Sequence, residues 1–144
     1  MPMRWSDRVI GHRLLNLHQW IYEHTSGRVG HRLGRVRTLL LRTTGRRSGQ
    51  PRTVALVYLL DGGRYVVVGS KGGSDTEPAW LHNARARPDV EVQVGTRRFP
   101  ARARVATDDE QRRLWPVMTA MWPDYERYQS QTSRRIPLVI LEEE

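Results

Sequence analysis

The sequence predicts an α+β protein: a small β-barrel of about six mainly antiparallel strands, with an N-terminal amphipathic helix in front and two inserted helices. Three observations predict it. Apolar residues between positions 36 and 105 recur with the two-residue period of strands, in runs parted by short Gly-rich turns. Helical spacing replaces that period in a leading stretch and in two later ones. With 144 residues and 38% hydrophobic content, the chain can bury one core and is short for two domains. Residues 1–35 form a helix and basic connector, and residues 36–144 form the barrel domain, within one domain overall.

In the leading stretch, from Arg4 to about His24, Val9, Ile10, Leu14, Leu17 and Ile21 mark one face, and Arg4, Arg8 and Arg13 occupy the rest. Such a helix either packs on the core or rests on an anionic lipid surface with Trp5 and Trp20 near the headgroups. Gly27, Gly30 and Gly34 make the next segment a flexible connector. Val36 to Thr43, Thr53 to Leu60 and Arg64 to Ser70 are the first three strands, an antiparallel meander with Asp61, Gly62 and Gly63 as one turn. Pro78 opens a short helix from Ala79 to about Ala86, stopped before Pro88. Trp80 and Asn83 are three apart and share a face of it. Val90 to Val94 and Arg97 to Val105 form a hairpin with Phe99, Ala101, Ala103 and Val105 on one side and Arg98, Arg102 and Arg104 on the other. Thr107 and Glu110 form a capping box for a helix that ends at Trp122 and Pro123. A polar stretch follows, with Tyr125 and Tyr128 three apart, and then a last strand, Ile136 to Leu141.

One stretch stands out chemically. Residues 43–52 read TTGRRSGQPR and join the first two strands. Arg46, Arg47 and Arg52 crowd a turn whose Gly and Ser leave backbone N–H groups exposed. Guanidinium suits a bidentate oxyanion, each charge-assisted contact being worth about 1.5–3 kcal/mol. The turn is therefore either a solvated basic tip or a clamp for an anionic ligand. A second Gly-rich turn, Ser70 to Ser74, carries Lys71, the chain's one lysine, and its glycines allow close backbone approach.

The formal charge of +9 implies an anionic partner without naming it: nucleic acid, an acidic membrane or a charged small molecule. No nucleic-acid partner is expected, because the aromatic residues are not interleaved with the basic runs as a stacking platform requires. The chain has no Cys, so thiolate chemistry and disulfides are excluded. No paired carboxylates or metal-spaced histidines are present, and no metal is expected. No apolar run approaches the roughly 20 residues of a membrane span. The expected location is cytoplasmic, or peripheral on the inner face of the cell membrane through the leading helix, as monomer or homodimer.

Taken together and in order, Thr43–Arg52, the run from Asp61 through Ser70, Lys71 and Gly72 to Gly73, Pro78–Asn83, Val90–Val94 and the set Tyr125, Tyr128, Gln129 and Thr132 resemble the deazaflavin-dependent nitroreductase family of actinobacteria, which includes quinone reductases that use reduced coenzyme F420. The resemblance covers about Val36 to Leu141. It implies a split β-barrel related to flavin-mononucleotide-binding oxidoreductases, and coenzyme F420 as hydride donor. Residue by residue, it implies that Arg46, Arg47, Ser48, Arg52 and Lys71 hold the phosphate and glutamate-bearing tail. Thr53, Val54, Ala55 and Leu56 would approach the deazaflavin ring, and Ser70, Gly72, Gly73, Trp80 and Asn83 would line the coenzyme. Tyr125, Tyr128 and Ser70 make up the catalytic set. Trp122, Tyr125 and Tyr128 face the acceptor, where an indole stands at a position often filled by a phenol.

The chemistry so implied is hydride transfer to a small-molecule electron acceptor: a quinone, an enone or a nitroaromatic. The same fold also permits a flavin-mononucleotide oxidoreductase or a non-catalytic deazaflavin carrier, and a basic nucleic-acid-binding module is the remaining alternative.

Overall fold

A computed structural model describes residues 37–144; the predicted N-terminal helix and connector lie outside the described residues. Six strands form a closed antiparallel barrel: β1 (Arg37–Thr44), β2 (Pro51–Asp61), β3 (Arg64–Val68), β4 (Asp89–Val94), β5 (Arg97–Val105) and β6 (Leu138–Glu143). Around the barrel they follow the order β1-β2-β3-β6-β5-β4, with β4 returning to β1. Three helices accompany them: α1 (Ala79–Ala86), α2 (Asp108–Met121) and α3 (Asp124–Ser130).

The alternation in the strands decides which side each residue faces. Tyr65 and Val67 of β3 join Leu39, Leu41, Phe99, Ala101, Val139 and Leu141 inside the barrel. Val66 and Val68 face outward and pack, with Leu138 and Ile140, against Leu114 and Met118 of α2 and Tyr125 of α3. Both faces of β3 and β6 are thus buried, which explains their nearly unbroken apolar runs. Glu110 and Thr107 form the expected capping box, each side chain receiving the other residue's backbone N–H.

The described residues hold one helix more than the two the sequence predicted for them. The polar segment after Trp122 forms α3, in which only Tyr125 is fully buried, so no apolar stripe announced it. Strand β6 begins at Leu138 rather than Ile136, because Ile136 is consumed in a side-chain bridge to Gln129 and Gln111. Strand β3 ends at Val68, before the Ser70 turn.

The antiparallel order sends β1 and β3 out of the barrel at the same end. Their following loops, residues 45–50 and 69–78, therefore emerge together. Helix α1, which precedes β4, and α3, which precedes β6, sit at that end too. The barrel is also split there. Strand β2 pairs with β1 along Pro51 to Tyr58, but with β3 only at Leu59, Leu60 and Asp61. Among the described residues, the edge of β2 from Arg52 to Val57 has no ladder partner on the β3 side, so its backbone groups face a seam.

Candidate active site

The first loop is tied by its own backbone. Gly45 N–H donates to Gln50 O at 2.7 Å and Gly49 N–H to Gly45 O at 2.8 Å. Gly45 is packed so closely that a Cβ there would lie 2.7 Å from Ser48 Oγ. Ser48 Oγ accepts from Gln50 N–H at 3.1 Å and from Arg52 at 3.3 Å. Residues 46–50 are all exposed.

Helix α1 holds this loop. Asn83, 4% exposed, accepts at Oδ1 from Arg46 N–H at 3.0 Å and from Arg46 Nη1 at 3.1 Å, and donates from Nδ2 to Thr43 Oγ1 at 3.3 Å. Leu81 of the same helix packs on the second loop, where a Cβ on Gly69 would lie 3.0 Å from its Cδ2. The eight-residue α1 is only about 12 Å long, so the Arg-rich loop and the Lys71 loop flank one short helix.

The second loop is a short 3-10 turn, Lys71–Gly73. Its backbone bonds run from Gly73 N–H to Ser70 O at 3.0 Å and from Ser74 N–H to Lys71 O at 3.2 Å. Lys71 is itself left-handed at φ 46°, an uncommon state for a residue with a side chain. Its Nζ donates to Thr76 Oγ1 at 3.3 Å and meets no carboxylate among the described residues. Gly73, at φ 86°, lies against α3: a Cβ there would be 2.9 Å from Tyr128 O and 3.0 Å from Tyr128 Cα.

On α3, Tyr125 is buried between Trp122 (centroids 6.5 Å apart) and Tyr128 (6.0 Å). Burial pushes its phenol well above the ordinary tyrosine range, with Tyr128 adding to the effect. Tyr125 therefore remains a protonated donor at any working pH. Tyr128 is half-buried, with Arg127 over its ring at 5.1 Å.

The structure thus gathers most of the predicted residues at the split end, with qualifications at Trp80, Asn83, the middle of β2 and Ser70. Trp80 is 7% exposed and packs inside the barrel with Leu81 and Ala84, so its ring is spent on the core and offers no wall to a ligand. Asn83 is spent on Arg46 and Thr43 and serves as a strut for the loop. Val54 and Leu56 pack inward against the core, while Ala55 packs outward on Leu40, so this part of β2 offers a ligand its backbone rather than those side chains. Ser70, 9% exposed, has its carbonyl engaged by Gly73 N–H and Arg134.

Two residues at this end were assigned no role from the sequence, one of them, Gln129, having been named only among the residues that carry the resemblance. Arg134 grips the second loop, donating to Ser74 O, Gly69 O and Ser70 O at 2.8, 3.1 and 3.0 Å. Gln129 of α3 donates to Arg134 O at 2.7 Å and accepts from Ile136 N–H at 2.9 Å. A lone arginine among 24 basic residues gives no sign of such a role.

The charges at this end fit an anionic group. Ion pairs between arginines and carboxylates run along the barrel's flanks, among them Arg64 with Asp61 and Glu110 and Arg104 with Glu110. None of the ion pairs among the described residues involves Arg46, Arg47, Arg52 or Lys71. No cluster that could hold a metal ion occurs among the described residues.

A six-stranded split barrel with this cationic end belongs to the class of split-barrel oxidoreductases. Within that class the chain belongs to the F420H(2)-dependent quinone reductase family, whose model matches residues 14–143. Coenzyme F420 is accordingly its cofactor, and the chain is an oxidoreductase. It is 46% identical over 142 residues to an F420H(2)-dependent quinone reductase of Mycobacterium tuberculosis, covering 96% of this chain and 95% of the relative. A solved F420-H2 dependent reductase, FDR-A, superposes with a TM-score of 0.67 at 38% identity, covering 73% of this chain and 93% of that one. A second solved structure, described as a domain-swapped dimer, gives a TM-score of 0.69 at 34% identity and covers 99% and 100% of the two chains.

Proposed function

We propose that this protein transfers a hydride from reduced coenzyme F420 to a quinone of the menaquinone type, with enones and nitroaromatics as incidental acceptors. The quinone is the acceptor class in the names of the family and its mycobacterial relative. The observation that carries the site is that, among the described residues, Arg46, Arg47, Arg52 and Lys71 have no ion pair, at the end where the seam beside β2 opens. A phosphate and a polycarboxylate tail would compensate those four cations.

When bound, the reduced deazaflavin supplies the hydride. Arg47 and Lys71 hold the anionic tail, and Arg46 does so while fixed to Asn83. The backbone of β2 from Arg52 to Leu56 approaches the ring, and the Ser70 turn lines the coenzyme beside Lys71. Trp122, Tyr125 and Tyr128 cover the acceptor and exclude water. As the quinone takes up two electrons and one hydrogen as hydride, its other oxygen needs a proton; the hydroxyl of Tyr125 or Tyr128 donates a hydrogen bond to that oxygen, and water supplies the proton, so that neither phenol is left ionised. The quinol then leaves neutral. Peripheral membrane contact through the N-terminal helix would bring the protein to such an apolar acceptor, and the domain-swapped dimer among the relatives makes a homodimer the assembly to look for.

Anaerobic turnover with the reduced coenzyme tests this reading. A menaquinone analogue should give the highest kcat/KM, above a nitroaromatic and an unsaturated lactone. No oxidation of the coenzyme with any of the three would overturn it.

A further inference from the structure

Arg134 lies in the chain between α3 and β6, yet its side chain is given over to the second loop. Its Nε and Nη2 take three carbonyls, and they come from both feet of one turn: Gly69 and Ser70 before it, Ser74 after it. Between those feet Lys71, Gly72 and Gly73 run consecutively at φ 46°, 63° and 86°. Left-handed backbone is unfavourable for a residue with a side chain, and such a turn persists only when its surroundings over-determine it. A guanidinium with donors in a fixed fork is suited to that task, because it fixes the distance between the feet as well as their direction.

The turn that results has a polarity. Ser70 is right-handed at φ −86° and ψ −35°, and the left-handed Lys71 and Gly72 follow it. This succession turns neighbouring N–H groups to one side as an anion-binding concavity, while the carbonyls point away, here towards Arg134. Gly72 is open, with no atom within 4 Å of where a Cβ would stand. Arg134 therefore stands behind the concavity, on the side away from any anion that enters it.

We infer that Arg134 is a positioning residue for the coenzyme's phosphate: it sets the Ser70–Ser74 turn so that the N–H groups of Lys71 and Gly72 and the Lys71 ammonium meet on one oxyanion. Its main chain is clipped by Gln129 to the helix bearing Tyr125 and Tyr128, so the phosphate turn and the acceptor helix are held as one unit. The inference rests on the assignment of this loop to coenzyme F420.

The test compares two ligands in fluorescence titrations of the full chain: coenzyme F420 and the deazaflavin riboside that lacks the phosphate and its tail. In the wild type the coenzyme binds more tightly, and the ratio of the two dissociation constants measures the grip on the anion. Arg134→Lys keeps the charge and loses the fork, and Arg134→Gln loses both. In each the ratio should fall by roughly tenfold to a hundredfold, with the riboside's own affinity within about twofold of wild type. A merely structural role would weaken both ligands alike and leave the ratio unmoved, and that result overturns the inference. If Arg134→Gln does not fold, Arg134→Lys decides by the same ratio. A wild-type ratio near unity would instead overturn the assignment of the loop to the coenzyme's anionic part, which is a different failure, and the inference falls with it.

Discussion

Two regions of this barrel carry arginine in quantity and treat it in opposite ways. On the flank under α2, Arg64 bonds Asp61 at 2.7 Å and Glu110 at 3.0 Å, Arg104 takes Glu110 with two bonds, and Arg113 takes Asp61 with two more. At the split end, Arg46, Arg47, Arg52 and Lys71 meet amides, hydroxyls and solvent but no carboxylate among the described residues. The flank is electrostatically closed and stabilises the fold. Among the described residues the split end is electrostatically open, and an anionic ligand would compensate its positive charge. Where an arginine sits relative to carboxylates therefore says more about its work than the number of arginines does.

The sharpest way to break this comparison is at Gly73. Gly73→Ala would put a Cβ within 3.0 Å of the Tyr128 backbone at a φ of 86°. It should cost about 3 kcal/mol and separate the phosphate turn from α3. Urea unfolding and coenzyme titration should both worsen; an unchanged affinity would mean the turn takes no part in binding.

A smaller and complementary effect is expected on the flank. Glu110→Gln removes the charge that Arg104 and Arg64 share and weakens the cap of α2, for a loss of about 2 kcal/mol with coenzyme affinity unchanged. The pH dependence follows from the same carboxylates. Arg113 and then Arg64 hold Asp61 down at about 2, and Arg104 and then the Thr107 N–H hold Glu110 well below the usual carboxylate range. In the unfolded chain both protonate near pH 4. Folded pKa values below unfolded ones mean that the stabilisation is complete above about pH 5 and fades as the pH falls towards 2. The gap in urea midpoint between wild type and Glu110→Gln should therefore shrink between pH 7 and pH 3; a constant gap would remove the ionic explanation.

The smallest effect should come from Arg112, whose pair with Asp109 is largely exposed on both sides. Arg112→Ala should change stability by less than about 0.5 kcal/mol. A larger loss by thermal melting would show that exposed pairs contribute more here than their solvation allows.

What the sequence made legible is what local chemistry writes. The bounds of α1 and β5 and the capping box of α2 follow from Pro, strict alternation and a Thr-to-Glu spacing, all readable within a few residues. Helix α3 was not readable, because its seven residues owe their shape to packing of Tyr125 under β3 and β6 rather than to periodicity. The shared face of Trp80 and Asn83 was readable, but not that it faces inward: spacing fixes which residues are neighbours and leaves open what they neighbour. Loop 45–50 could be read as basic, and loop 69–78 as a Gly-rich turn that carries Lys71. Their convergence belongs to the strand order, and Arg134, more than 60 positions beyond the turn it grips, belongs to it as well.

The most direct measurement is the dissociation constant of coenzyme F420, read by fluorescence titration on wild type, the double variant Arg47→Ala with Lys71→Ala, and Glu110→Gln. The expected result is at least a roughly hundredfold loss in the double variant with its thermal midpoint preserved, and less than about a twofold change in Glu110→Gln. A double variant that binds like wild type, or a flank variant that loses as much as the double variant, would contradict the assignment of the open cations to the coenzyme.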